Sequence, residues 1–172
     1  MTPPPSSERW VVVASFIVAL MLAAMPMPDL VAAGRPAWVS LVLIYWCIAL
    51  PERMGIGIGW SLGLLLDVLK GTLLGQHAAS YALFAYFALK IHKRLRAFPL
   101  TKQTSFVGLM LAMHALLMLW TRGITALPSD LSIYWLPVLS SMLLWPAVFQ
   151  IMRYIRRKAG VSPSSFELKE GF

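Results

Sequence analysis

The sequence predicts an all-α fold: a polytopic integral membrane helical bundle with about six transmembrane helices. Three observations predict it. The 172 residues are 59% hydrophobic and only 13% charged, whereas a soluble domain carries about 25% charged residues. The charges are also bunched. No residue with a full charge lies between Arg9 and Asp29, Arg35 and Glu52, Lys70 and Lys90, Lys102 and Arg122, or Asp130 and Arg153. Finally, these stretches do not alternate. A membrane β-barrel strand places apolar and polar residues in turn, but Leu41-Val42-Leu43-Ile44-Tyr45-Trp46 is apolar throughout.

A helix needs about 20 apolar residues to cross the hydrocarbon core. The charge-free stretches hold 19 residues (10–28), 16 (36–51), 19 (71–89), 19 (103–121) and 22 (131–152). A sixth, 54–66, becomes long enough if it runs through Asp67 to Lys70. Span one is expected at about Trp10–Met25, stopped by Pro26 and Pro28, and span two at about Ala37–Leu50, stopped by Pro51. Spans three to six are expected at about Gly55–Leu69, His77–Leu89, Ser105–Trp120 and Ile133–Met152. Proline inside a helix removes a hydrogen bond and clashes one turn back, so Pro146 is expected to kink span six, whereas Pro137 lies near its start. Span one exceeds the 7–15-residue core of a signal peptide, and its polar start holds one basic residue and three prolines, so it reads as a retained span. The expected organisation is an N-terminal tail over 1–9, one transmembrane domain over 10–158 and a C-terminal tail over 159–172.

Orientation follows from lysine and arginine, which gather on the cytoplasmic side. With six spans, one side holds Arg9, Arg53, Lys90, Lys93, Arg94, Arg96, Lys102, Arg153, Arg156, Arg157, Lys158 and Lys169, and the other only Arg35, Lys70 and Arg122. Both termini are therefore expected in the cytoplasm. Trp10, Trp38, Trp60, Trp120 and Trp135 fall near the proposed span ends, as interfacial aromatics do. Five spans stay open, because spans two and three are short and one of them can be re-entrant. The net charge of +8 does not point to nucleic acid, because the basic residues sit at span ends. The lone Cys47 reads as a small buried hydrophobe.

Asp67 is the most unusual residue, a carboxylate within Leu64-Leu65-Leu66-Asp67-Val68-Leu69. Intramembrane carboxylates are functional candidates by default. The plainer alternative is a pair with Lys70, three residues on along the same helix face. Small residues surround it at intervals of four: Gly55, Gly59 and Gly63 before it, Gly71 and Gly75 after it. Such spacing lets helix backbones approach closely in lipid. It drifts by about 40° per step against 3.6 residues per turn, so Gly55 to Asp67 fits one slanted seam and Gly71 to Gly75 a turn. His77, His92 and His114 show no metal-ligand spacing and read as isolated. No nucleophile elbow, phosphate loop or carboxylate pair occurs, so the sequence predicts neither an enzyme nor a cofactor or metal site.

One resemblance goes further. Pro36-Ala37-Trp38, Tyr45-Trp46-Cys47, Leu50-Pro51, the run from Gly63 to Leu69, then Gly71 and Leu74-Gly75 resemble the MreD family of rod shape-determining proteins. The tail Leu144-Trp145-Pro146, followed by Met152-Arg153-Tyr154-Ile155-Arg156-Arg157, is similar to its proteobacterial form. The resemblance covers about residues 30–158. It implies an inner-membrane, non-enzymatic component of the elongasome, the machine that builds lateral peptidoglycan. It implies MreC as partner, with MreB, RodA and a class B penicillin-binding protein in the wider complex. It also implies a helical fold similar to the S components of energy-coupling-factor transporters, which keeps a small-solute-binding transporter subunit as the alternative function. It carries over no catalytic residues. Trp38, Tyr45, Trp46, Pro51, Gly59, Gly63, Asp67, Gly71 and Gly75 are expected to be fold-defining or partner-facing.

Overall fold

The computed structural model describes residues 5–26, 28, 34–124 and 131–160. These form six α-helices and no strand: α1 (Pro5–Ala24), α2 (Trp38–Ala49), α3 (Ile56–Lys70), α4 (Gln76–Ala97), α5 (Leu100–Ile124) and α6 (Leu131–Lys158). Each expected span has its helix, but several bounds move. α1 begins at Pro5, so residues 5–9 are helix and not tail. Proline is tolerated at a first helical position, where its missing N–H has no intrahelical partner to lose. α4 runs eight residues past Leu89, through Lys90, Lys93, Arg94 and Arg96, to Ala97. Charge ends an apolar stretch without ending a helix, since lysine and arginine are good helix formers. α6 continues as helix through Pro137 and Pro146.

Among the described residues two helices are long and apolar enough to cross a membrane: Leu100–Thr121 in α5 and Trp135–Lys158 in α6. Most of each faces outward from the bundle, unlike the core helix of a soluble protein. Arg9–Ala24 and Trp38–Ala49 are shorter apolar helices. At 12 residues, α2 rises about 18 Å, well short of a hydrocarbon core of about 30 Å.

Its position explains the composition of α2. Eleven of its twelve residues, Val39 to Ala49, are buried, and it touches α1, α4, α5 and α6. A helix apolar on every side is stable where every side is covered. Trp46 and Cys47 are wholly enclosed. The Trp46 indole Nε1 donates to Ser15 Oγ of α1 at 2.8 Å, and Ser15 in turn donates to Val12 O. Tyr45 meets Trp46 and Phe149 edge-on, with ring centroids 5.3 and 5.7 Å apart. Around this axis lie two tight pairs, α3 with α4 and α5 with α6. A side chain at Gly108 of α5 would run into Met142 of α6.

The helices alternate in direction, and hydrogen bonds tie their ends. At one end, Arg96 of α4 donates from Nε to Ile48 O and from Nη2 to Ala49 O, closing the C-terminus of α2. Gln103 of α5 donates there to Leu95 O and Phe98 O. At the opposite end, Arg35 Nη1 donates to Ala23 O of α1. Gln76 Nε2 contacts Met118 Sδ and Thr121 Oγ1 of α5. The outside is rich in large apolar side chains, among them Val68, Leu74, Leu109, Leu139 and Leu143. Trp10, Trp60, Trp120 and Trp135 are exposed, and Trp38 is half-buried.

Candidate functional site

The turn joining α3 to α4 brings together two of the polar side chains buried in the bundle, Asp67 and His77. Gly71 has φ +61°, the left-handed conformation that lets a helix stop abruptly. Thr72 N donates to Asp67 O and Gly71 N to Val68 O, so a Schellman motif closes α3. Gly75, at φ +98°, then turns the chain into α4. Both glycines serve the turn, as their spacing predicts.

This reversal brings the first turn of α4 onto Asp67, whose side chain is completely buried. Its Oδ2 accepts from Gly75 N at 2.9 Å and from Ala78 N at 3.4 Å. His77 N donates to both oxygens at 3.1 and 3.2 Å. Thr72 Oγ1 donates to Oδ1 at 2.8 Å, and His77 Nδ1 lies 2.7 Å from the same oxygen. The first N–H groups of a helix have no partner within it, and the positive end of the helix dipole favours an anion. Asp67 is thus an N-terminal cap supplied from a neighbouring helix. The expected pair with Lys70 is overturned. Asp67 turns inward to α4 while Lys70 is exposed, because the turn and the start of α4 offer both carboxylate oxygens aligned donors that Lys70, with a single ammonium on a flexible stem, does not.

The glycine ladder explains how α4 comes so close. A Cβ at Gly63 would fall on the backbone of His77 and Ala78, and one at Gly59 on Tyr81 O. Gly55 and Gly57 face open space, so the close seam is Gly59–Gly63–Asp67. The histidines are not all isolated, contrary to expectation. His77 and His114 meet at a tilt with ring centroids 5.3 Å apart, and Tyr81 and Phe84 complete the cluster. His114 Nδ1 is buried without a hydrogen-bond partner. Chemically this corner holds a turn: both carboxylate oxygens are taken up by the donors of the turn and of the start of α4.

The remaining expected residues lie on α2 or next to it. Tyr45 and Trp46 belong to the central core, Trp38 opens the helix and Pro51 follows its end in the turn. Sequence reasoning missed Thr72, Ser15 and Arg96. Thr72 follows a glycine after an apolar helix, a position where a side-chain hydroxyl readily joins a turn. Ser15 and Arg96 act across the fold, and no local pattern marks them.

A sequence profile of the family described as rod shape-determining protein MreD matches residues 6–155. The chain belongs to the MreD family. The rod shape-determining protein MreD of Haemophilus influenzae is 34% identical over 154 residues, covering 87% of this chain and 93% of that protein. No solved structure matches the chain. The MreD match takes in α1 and starts well before residue 30, where the motif resemblance begins. It spans the Asp67 corner and all of α2. Membership of the MreD family supports a role in determining rod shape and, with two membrane-length helices, is consistent with a membrane protein.

Proposed function

We propose that this protein is a non-enzymatic inner-membrane scaffold of the elongasome that maintains rod shape by acting with MreC. The family match over residues 6–155 carries the reading. The Asp67 corner supports it: the buried carboxylate that would be the first candidate for chemistry caps a helix instead. On this reading the protein crosses the membrane six times with both termini in the cytoplasm. The alternation of the helices and the concentration of lysine and arginine at one end favour that topology. MreB, RodA and a class B penicillin-binding protein belong to the wider assembly. Tyr45, Trp46, Gly59, Gly63, Asp67, Gly71 and Gly75 are fold-defining on this reading, with Trp38 and Pro51 framing α2.

A small-solute-binding transporter subunit, similar to the S components, is the weaker reading. It calls for polar groups converging near the membrane midplane and open to a ligand. Asp67 lies near the end of α3 with both oxygens occupied. Depletion in the native host tests the scaffold. Rods are expected to widen and round, and MreC to co-purify with the detergent-extracted protein. Unchanged rods together with absence of MreC from the purified material would defeat it.

A further inference from the structure

The face that α4 turns away from the bundle changes character along its length. Leu83, Tyr86, Phe87, Lys90, Lys93 and Arg94 are all exposed. They recur at intervals of three and four, so they share one side of the helix as a single stripe. Its first half is apolar and aromatic, and its second half is basic. The change falls at Lys90, whose Nζ stands 5.4 Å over the Tyr86 ring and 3.3 Å from the Tyr86 hydroxyl. From Leu83 to Lys90 the helix rises about 10 Å, within the depth of one leaflet of a hydrocarbon core about 30 Å thick. No acid answers the basic half. The chain has no Asp or Glu between Asp67 and Asp130, so α4, the turn after it and α5 contain none. Asp67 itself is taken up at the other end of α4. Lys93 and Arg94 form no ion pair among the described residues.

We propose that this stripe binds one anionic phospholipid, with its acyl chains along Leu83, Tyr86 and Phe87 and its phosphate at Lys90, Lys93 and Arg94. A guanidinium fork matches two phosphate oxygens, and ammonium groups add point charges beside it. Basic side chains at the edge of the apolar layer draw anionic headgroups. The order of the stripe favours a lipid over an acidic protein segment. An acidic segment would use the basic half alone, whereas a lipid uses both halves, in the sequence in which they occur. Lys102, at the start of α5, has its Nζ 5.4 Å over the Phe98 ring and extends the basic half across the α4–α5 turn. The site stands on the membrane setting and holds whether or not the scaffold reading does. In the six-span topology the lipid belongs to the cytoplasmic leaflet.

Native mass spectrometry of the full-length protein in neutral detergent, titrated with phosphatidylglycerol or with zwitterionic phosphatidylethanolamine, tests the site. Wild type is expected to retain one phosphatidylglycerol at least fivefold more tightly than phosphatidylethanolamine. Lys93→Gln with Arg94→Gln is expected to weaken that binding at least fivefold, and adding Lys90→Gln to bring it down to the phosphatidylethanolamine level. Arg153→Gln with Arg157→Gln, exposed changes on α6, are expected to leave it in place. Equal retention by wild type and the triple α4 variant overturns the proposal, as does equal retention of the two lipids by wild type. An equal loss in the α6 variant overturns it too, because diffuse charge and not the stripe would then hold the lipid. Millimolar glycerophosphoglycerol, the headgroup without chains, is not expected to displace the lipid. If it does, the apolar half plays no part and the proposal falls. The rival partners within the chain are its own acids, Glu8, Glu52, Glu167 and Glu170. If they neutralise the stripe, the triple α4 variant unfolds at a lower temperature than wild type yet keeps its lipid, which also overturns the proposal; an unchanged midpoint with the lipid lost is expected.

Discussion

At Asp67 one carboxylate satisfies donors from three consecutive parts of the chain: the Thr72 hydroxyl, the Gly75 amide, and the amides and ring that open α4. Asparagine has nearly the same shape but offers one oxygen and two N–H donors. In Asp67→Asn an amide nitrogen must face backbone N–H groups, and the charge that complements the helix dipole is gone. Hydrogen bonds to charged groups contribute about 1.5–3 kcal/mol each in net terms, so Asp67→Asn is expected to destabilise the protein by about 2 kcal/mol or more. Thermal unfolding of the detergent-purified protein measures this as a lower midpoint. His77→Phe removes only the ring contribution and leaves the backbone donors in place, so its midpoint is expected to fall less. If the two variants unfold alike, the ring and not the backbone cap is what matters. Ser15→Ala tests a different buried bond. The Trp46 indole would lose its acceptor inside the core, and leaving a buried donor unmatched costs about 1–3 kcal/mol.

Among the elements, α3 and its glycines show how much the order of residues disclosed. Gly59 and Gly63 have a spacing that announces a close seam, and the seam exists. Gly57 lies on the same helix and packs against nothing. The two positions therefore respond to alanine with opposite signs. Gly57→Ala gains up to about 1 kcal/mol of helix propensity, so its unfolding midpoint is expected to stay level or rise. Gly63→Ala pushes a methyl group into the backbone of α4, and overpacking costs about 1–3 kcal/mol, so its midpoint is expected to fall. The partner of Asp67 was not legible, because helical periodicity pointed three residues on to Lys70. The left-handed turn at Gly71 instead delivers His77, ten residues on. Gly108 was equally silent: its importance lies in Met142, on another helix. The apolar run of α2 was plain in the sequence, yet apolarity alone does not say whether lipid or protein covers a helix. Arg96, which closes α2 from α4, read as one more basic residue in a loop. Its removal would leave the end carbonyls of α2 without this donor.

For the whole molecule the decisive matter is which side of the membrane each end of the bundle occupies. The bonds from Arg96 to α2 put the C-terminal ends of α2 and α4 together, and Asp67 puts the C-terminal end of α3 with the start of α4. The α2–α3 turn and the α3–α4 turn thus lie at opposite ends. The first end carries Arg53, Lys90, Lys93, Arg94 and Lys102, and also Arg153, Arg157 and Lys158 at the close of α6; the second carries Arg35 and Lys70. Three of the lysines at the first end stand over aromatic rings, Lys90 over Tyr86, Lys102 over Phe98 and Lys158 over Tyr154, as long side chains do where a stem meets the apolar boundary and the charge meets water. In the proposed six-span topology the first end is the cytoplasmic one, because basic residues gather on that side. The helix of α2 is too short to cross by its own rise, so a crossing there depends on the chain at its ends. Cysteine labelling tests this directly, because the lone native cysteine, Cys47, is buried in the core and silent to a polar reagent. With a membrane-impermeant maleimide on intact spheroplasts, Leu73→Cys is expected to label at once, and Arg53→Cys only after the membrane is opened. If both label in intact cells, or neither does, α3 does not cross. The five-span alternative, with α3 re-entrant, would then stand, and the two termini would lie on opposite sides.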